Sequence, residues 1–117
     1  MAAISDFELT SQLYAFMQSV PVLRPWAELS ALHAKKEPHV ESRGPEQRPM
    51  TFELNVLEND AKNGRTYLHV GVSVSDPNRG IGVKRGSAYI PLSTSFLWYK
   101  DGELDMPSAR EIYERPF

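Results

Sequence analysis

The chain of 117 residues contains no cysteine. Disulfide bonds, thiolate nucleophiles and cysteine-ligated zinc or iron–sulfur sites are therefore excluded by composition. No apolar run approaches the ~20 residues that a membrane-spanning helix requires, and the first residues lack the basic start and apolar stretch of a signal peptide. We expect a soluble cytoplasmic protein that does not associate with a membrane.

A strong excess of either charge is also missing, since the formal net charge is −2. No global field would attract nucleic acid or anionic lipid. Hydrophobic residues make up 41% of the chain and charged residues 24%, as in ordinary globular proteins. Residues 1–117 are predicted to form one domain with its own core.

Residues 5–36 are predicted to form two helices. Ser5 and Glu8 have the spacing of a capping box, and Pro21 is expected to end the first helix. The second helix is predicted to begin at Pro25, whose fixed φ suits the first helical position. An apolar stripe at helical spacing marks the buried side of the first helix: Leu9, Leu13, Phe16, Met17 and Val20.

Residues 37–49 contain three prolines and one glycine, which cannot sustain a helix or a central strand. We predict a loop there, and the least ordered internal segment of the chain. Two acids and one histidine alternate at Glu37, His39 and Glu41, but a proline-rich loop is poorly organised for a metal site. No metal or cofactor is expected from this pattern.

Residues 50–117 are predicted to form a sheet followed by a short helical turn. Period-two alternation indicates strands over 51–58 and 67–75, a hairpin turn over 59–64, and further strands over 87–92 and 96–99. The strand at 67–75 places Leu68, Val70, Val72 and Val74 on its core face. The predicted fold class is α+β, with two N-terminal helices on one face of a four-stranded antiparallel meander and a short C-terminal helical turn at 107–115.

The face opposite that core carries Tyr67 and His69, with Glu53 or Asn55 expected on the preceding strand. A histidine beside a carboxylate and a hydroxyl has the groups of a general base and its orienting partner. A surface histidine in a cross-strand pair presents the same pattern, and we prefer that interpretation. No catalytic residue is therefore expected, and His69 is the candidate if one exists.

Residues 77–86 form a basic connector that carries Arg79, Lys84 and Arg85 without an acid. Its glycines fit neither a Walker A loop nor a dinucleotide fingerprint, because the spacing is one residue too long and a strand follows where a helix is needed. Three cations in a flexible loop can hold a phosphate or an acidic protein surface. A loop that only aids solubility would have the same composition.

The preferred hypothesis is a non-catalytic interaction module that binds a protein partner, or a second copy of itself, through the exposed sheet face and the basic connector. The binding residues would be Arg79, Lys84, Arg85, His69 and Tyr67. One alternative is a pocket protein or small enzyme, with a cavity between sheet and helices lined by Tyr14, Trp26, Tyr67 and His69. Another is phosphate or nucleic-acid binding through the three connector cations.

Overall fold

A computed structural model of the protein describes residues 6–43, 50–75, 83–85, 88–90 and 92–114. Its helices are α1 (Asp6–Leu23), α2 (Trp26–Lys35) and α3 (Ala109–Glu114). Its strands are β1 (His39–Arg43), β2 (Met50–Lys62), β3 (Arg65–Ser75), β4 (Val83–Arg85), β5 (Ala88–Ile90), β6 (Leu92–Tyr99) and β7 (Leu104–Asp105). The α+β class is confirmed.

The main sheet has five antiparallel strands in the order β1-β2-β3-β6-β7. The sequence predicted four strands, and the two short edge strands β1 and β7 were not anticipated. The hairpin between β2 and β3 turns at Asn63 and Gly64, which both have positive φ as a type I′ turn requires. Both strands therefore extend further toward this turn than the alternation predicted.

The predicted core is confirmed. Phe16 of α1 packs on Phe52 of β2 with their ring centroids 4.8 Å apart, and the indole nitrogen of Trp26 donates to the carbonyl of Trp98 at 3.1 Å. The helices thus cover one face of the sheet. Buried residues from helices and strands form one cluster: Leu9, Leu13, Phe16, Met17, Val20, Leu29, Met50, Phe52, Leu54, Val56, Leu68, Val70, Val72, Val74, Leu92, Phe96, Trp98 and Ile112.

Helix boundaries differ slightly from those predicted. α1 continues through Pro21 to Leu23, because proline removes only one backbone hydrogen bond near the end of a helix and the next turn closes from Arg24 N to Val20 O at 3.0 Å. Pro25 is the N-cap of α2 rather than its first helical residue. Ser5 lies outside the described residues, so the capping box predicted for α1 stays a prediction.

The predicted loop over 37–49 was wrong in its first half, where β1 pairs with β2 from His39↔Leu54 to Arg43↔Met50. Pro38 directly precedes this strand, and an edge strand tolerates neighbouring prolines because one of its sides forms no ladder hydrogen bonds. Residues 44–49 lie outside the described residues. Whether residues 37–49 are the least ordered internal segment therefore stays a prediction.

The strand predicted over 87–92 is not the third strand of the main sheet. Its residues 88–90 form β5, which pairs with β4 inside the predicted connector loop as a separate two-stranded ribbon. Only two residues separate β4 from β5, which is the commonest loop length of a β-hairpin, so the two strands pair with each other. β6 takes the place beside β3 instead, over the full register from Val74↔Leu92 to Tyr67↔Tyr99.

Candidate functional site

The sheet has a face that no helix in the described part of the chain covers, and we call it the open face. Leu13, Leu29 and Ile112, one from each helix, all belong to the core on the other side. The open face carries the residues that alternate with the core positions of the long strands: Thr51, Glu53, Asn55, Leu57, Glu58, Asp60, Tyr67, His69, Gly71, Ser73, Ser75, Ser93, Ser95, Leu97 and Tyr99.

A β-bulge in β2 sets the composition of this face. The register shifts between Val56 and Glu58, so Leu57 and Glu58 both project from the open side. The Tyr67 hydroxyl donates to Oε1 of Glu58 at 2.7 Å, whereas Asn59 reaches the opposite side and donates to Ser30 of α2 at 3.1 Å. Simple alternation would have placed Glu58 on the helix side.

The middle of the open face is a shallow depression of about 390 Å³ with a floor of small residues. Gly71, Ser73, Ser93 and Ser95 form that floor, and the side chain of Leu57, 53% exposed, forms one wall. Val40 of β1 is 56% exposed and pairs with Glu53, which places it on the same face. Apolar side chains therefore project beside a floor that a partner can approach closely.

His69 lies on the open face, as predicted, but its partner is a hydroxyl. Its Nε2 atom is 2.9 Å from Oγ of Ser95 on β6, in a hydrogen bond whose donor depends on the histidine tautomer. Among the described residues, no carboxylate forms a hydrogen bond or ion pair with His69. His69 and Ser95 line a depression of about 350 Å³ together with Asp105 and Glu111.

The predicted cavity between sheet and helices was wrong. Tyr14 and Trp26 pack against the core on the helix side, whereas Tyr67 and His69 project from the open face. The sheet lies between these two pairs of residues, so the four side chains do not line a common cavity. The sequence pattern showed which residues alternate, but it did not show on which side each helix lies.

Charged and aromatic side chains gather at the end of the open face beside the β2–β3 turn. The Arg65 guanidinium lies 3.8 Å from the centroid of the Tyr99 ring and forms ion pairs with Asp101 at 2.8 Å and Glu103 at 3.4 Å. The Tyr67 and Tyr99 rings are 6.1 Å apart. This cluster was not predicted from the sequence, because its members become neighbours only through the pairing of β3 with β6.

Hydrogen bonds displace the pKa values of Tyr67 and Asp101 in this region. The hydrogen bond to the Glu58 carboxylate is the main cause that raises the pKa of Tyr67 to about 12. The pKa of Asp101 is lowered, first by the backbone N–H of Glu103 and then by Arg65. The hydrogen bond to Glu58 favours the protonated phenol of Tyr67, and the hydrogen bonds from Glu103 and Arg65 favour the ionised carboxylate of Asp101.

Carboxylates outnumber cations at one end of the open face. The end beside the β2–β3 turn, called the acidic end, carries Glu58, Asp60, Asp101, Glu103 and Asp105 together with the cations Lys62 and Arg65. At the other end β3 finishes at Ser75 and β6 starts at Leu92, and the connection between them contains Arg79, Lys84, Arg85 and the acid Asp76.

The predicted contact role of the basic connector stays a prediction. Arg79 lies outside the described residues, and Lys84 and Arg85 are described only as backbone positions of β4, paired with Tyr89 and Ala88. The structure therefore does not show whether the three cations share a surface with His69 and Tyr67. The chain connectivity alone assigns them to the connection that leaves β3 at Ser75.

A second polar cluster lies on the helix side, where α1 ends beside β1. The Arg24 guanidinium is 2.6 Å from Nε2 of His39, 3.1 Å from Glu28 and 3.8 Å from Glu41. A guanidinium only donates, so the His39 nitrogen accepts in this contact. The alternation of His39 and Glu41 was the sequence signal that they share one side of a strand.

Comparisons of the chain with protein-family models, with curated proteins and with solved structures find no match. Within the described ranges, no group of three or more His, Asp or Glu side chains is placed to hold a metal ion. No helix in those ranges is long and apolar enough to cross a membrane. The cytoplasmic setting expected from the sequence stays a prediction.

Proposed function

We propose that the protein is a non-catalytic interaction module that binds a macromolecular partner through its open face. The observation that carries this proposal is the exposure of Leu57 and Val40 beside a floor of glycine and serine. A sheet face that meets only water commonly carries long polar side chains, whereas small and apolar residues together permit close approach of another surface.

The shape of the depression supports a macromolecular partner over a small ligand. Pockets for small molecules enclose most of the ligand surface, and the depression around Gly71 and Ser95 is open along the face. Carboxylates at the acidic end disfavour phosphate on this face by charge repulsion. Phosphate or nucleic-acid binding through the connector cations Arg79, Lys84 and Arg85 stays an alternative proposal.

Photo-crosslinking tests the proposal at single positions. A photoreactive amino acid at Leu57 reports on the open face, and the same residue at Gln12, exposed on α1, serves as the matched control. In cells that naturally contain the protein, we expect a discrete crosslinked product from position 57 and none from position 12. The same products, or none, from both positions would contradict the proposal.

A second candidate function rests on the contact between Ser95 and His69. With Nε2 2.9 Å from Oγ, His69 can accept the hydroxyl proton while Ser95 forms a bond to an acyl carbon or a phosphorus atom and the leaving group departs. This candidate ranks second because catalytic histidines of this type are oriented by a third group. Among the described residues, no carboxylate contacts His69 in that way.

A fluorophosphonate probe separates the two candidates, since it phosphonylates activated serines. A nucleophilic Ser95 predicts labelling that disappears in Ser95→Ala and in His69→Gln, while Ser73→Ala on the same face keeps it. Absence of labelling in the unaltered protein would remove the catalytic candidate. That outcome leaves the interaction module as the function that the open face supports.

A further inference from the structure

We propose that the partner of the open face is a positively charged segment of another protein, whose apolar side chains cover the floor of glycine and serine and whose lysines or arginines reach Glu53 and Asp105. This inference rests on the proposed function, because it names the chemistry of the partner that the same face binds. Three described features carry it: two carboxylates without partners, the pairing of the Arg65 cation, and the exposed apolar side chain of Leu57 beside the floor.

Glu53 and Asp105 are open-face carboxylates that are available to a partner. Glu53 pairs with Ser73 across β2 and β3, and Asp105 pairs with Leu97 across β6 and β7, so both project from the open side. Both residues are exposed, and each lines a depression in the face. Within the described part of the chain, neither carboxylate forms a hydrogen bond or an ion pair. A cation of the partner can therefore bind them without breaking an internal contact.

The Arg65 guanidinium does not offset these carboxylates, because it is already engaged. It forms ion pairs with Asp101 at 2.8 Å and Glu103 at 3.4 Å, and it lies over the ring of Tyr99. Lys62 also projects from this side, but it lies at the end of β2 beside the turn, away from the floor. The charge that the described residues place around the floor is therefore negative.

The sign of this charge selects among partners. Carboxylates attract lysine and arginine within a Debye length of about 8 Å at physiological salt, and they repel phosphate groups. A second copy that docked by the same described residues would bring like charges together. Nucleic acid, an anionic lipid surface and a second copy are therefore disfavoured on this face relative to a basic protein segment.

The two carboxylates also set the spacing of the partner's positive charges. Glu53 lies on β2 level with Ser93 of β6, and Asp105 lies on β7 level with Leu97. At about 4.8 Å per strand spacing and about 3.3 Å per residue, the two positions are roughly 19 Å apart. An extended segment covers that distance with about six residues. The basic residues of the partner are therefore expected on both sides of a short central run.

Leu57 supplies the part of the contact that salt does not screen. Its side chain is 53% exposed and forms one wall of the depression, above Gly71. An apolar side chain of the partner that lies on the floor removes this surface from water, which is favourable whatever the charges nearby. The central run of the partner is therefore expected to be apolar, between basic ends.

Fluorescence polarisation with two labelled peptides tests the charge of the partner. Both peptides have the same centre of about six alanine and leucine residues, which matches the spacing of the carboxylates. One peptide carries lysines at both ends, and the other carries glutamates there. We expect the lysine peptide to bind, more weakly as salt is raised, and the glutamate peptide not to bind. Absence of binding by the lysine peptide, or equal binding of both peptides, would overturn the inference.

Neutral variants test whether the contact lies on the open face. Glu53→Gln with Asp105→Asn is expected to weaken binding of the lysine peptide by roughly tenfold at low salt, since each change removes a charge pair. Glu8→Gln with Glu37→Gln removes the same charge from exposed positions outside the strands, and this matched control should bind as the unaltered protein does. Equal weakening in both double variants would show that only net charge matters and would overturn the inference.

The crosslinking experiment at Leu57 distinguishes failure of this inference from failure of the proposed function. A captured protein whose attached segment carries lysines or arginines on both sides of the crosslink supports both. An acidic attached segment, or a product with twice the mass of the chain, overturns the inference and leaves the interaction module standing. Absence of any product at position 57 overturns both.

Discussion

The side chain of Leu57 packs over Gly71 so closely that a Cβ atom on Gly71 would lie 3.2 Å from Cδ1 of Leu57. The β-bulge after Val56 leaves Leu57 on the open face, and the missing side chain at position 71 leaves room beneath it. This pair forms the centre of the proposed interface. A single substitution at Gly71 therefore tests how tightly Leu57 is packed.

Gly71→Ala is expected to stabilise the monomer slightly, by roughly 0.5 kcal/mol, because alanine loses less backbone entropy than glycine in a strand. Leu57 is exposed and can move by the few tenths of an ångström that the new methyl requires. Urea denaturation measures the change. A loss above about 1 kcal/mol would mean that Leu57 is held rigidly.

Leu13→Ala and Val70→Ala should each lower the free energy of unfolding by roughly 1 to 5 kcal/mol, as is usual for buried aliphatic residues. Both side chains are fully buried, one on α1 and the other on β3. Gln12→Ala is the control, with an expected change within about 0.5 kcal/mol for an exposed residue on α1. Denaturant unfolding of the three variants checks the ranking.

The core was predictable because its signals are local and periodic. The stripe on α1 and the alternation in β3 each determine which side is buried, whatever lies elsewhere in the chain. Ser108 and Glu111 likewise form a capping box at the start of α3, with reciprocal hydrogen bonds of 3.1 Å, at the three-residue spacing that such boxes have in a sequence. These features need no knowledge of long-range pairing.

The candidate site was only partly predictable because its contacts cross between strands. The alternation placed Tyr67 and His69 on the open face, but the partner of His69 is Ser95, 26 positions away. The bulge that brings Glu58 to Tyr67 shifts the period by one residue. No local pattern in β2 indicates that shift.

The pKa of Tyr67, raised to about 12, predicts a loss of stability in alkali. The folded pKa lies above the ordinary value of 10. The stability that protonated Tyr67 contributes is therefore fully present below pH 10 and is lost as the pH rises toward 12. Glu58→Gln should lower the tyrosine pKa, since a neutral amide no longer favours the protonated phenol. Ultraviolet titration of tyrosinate against a Tyr67→Phe reference measures both effects, and an unchanged titration in Glu58→Gln would refute the assigned cause.

The lowered pKa of Asp101 predicts a loss of stability in acid. Its folded pKa lies below the ordinary value of 3.8, so its contribution to stability is present above that value and is lost as the pH falls through the lowered pKa. The backbone N–H of Glu103 is the larger cause and Arg65 the smaller. Arg65→Gln should therefore raise the Asp101 pKa only part of the way toward 3.8. Carboxyl NMR titration measures it, and full recovery of the ordinary value would show that the ion pair, rather than the turn backbone, holds the charge.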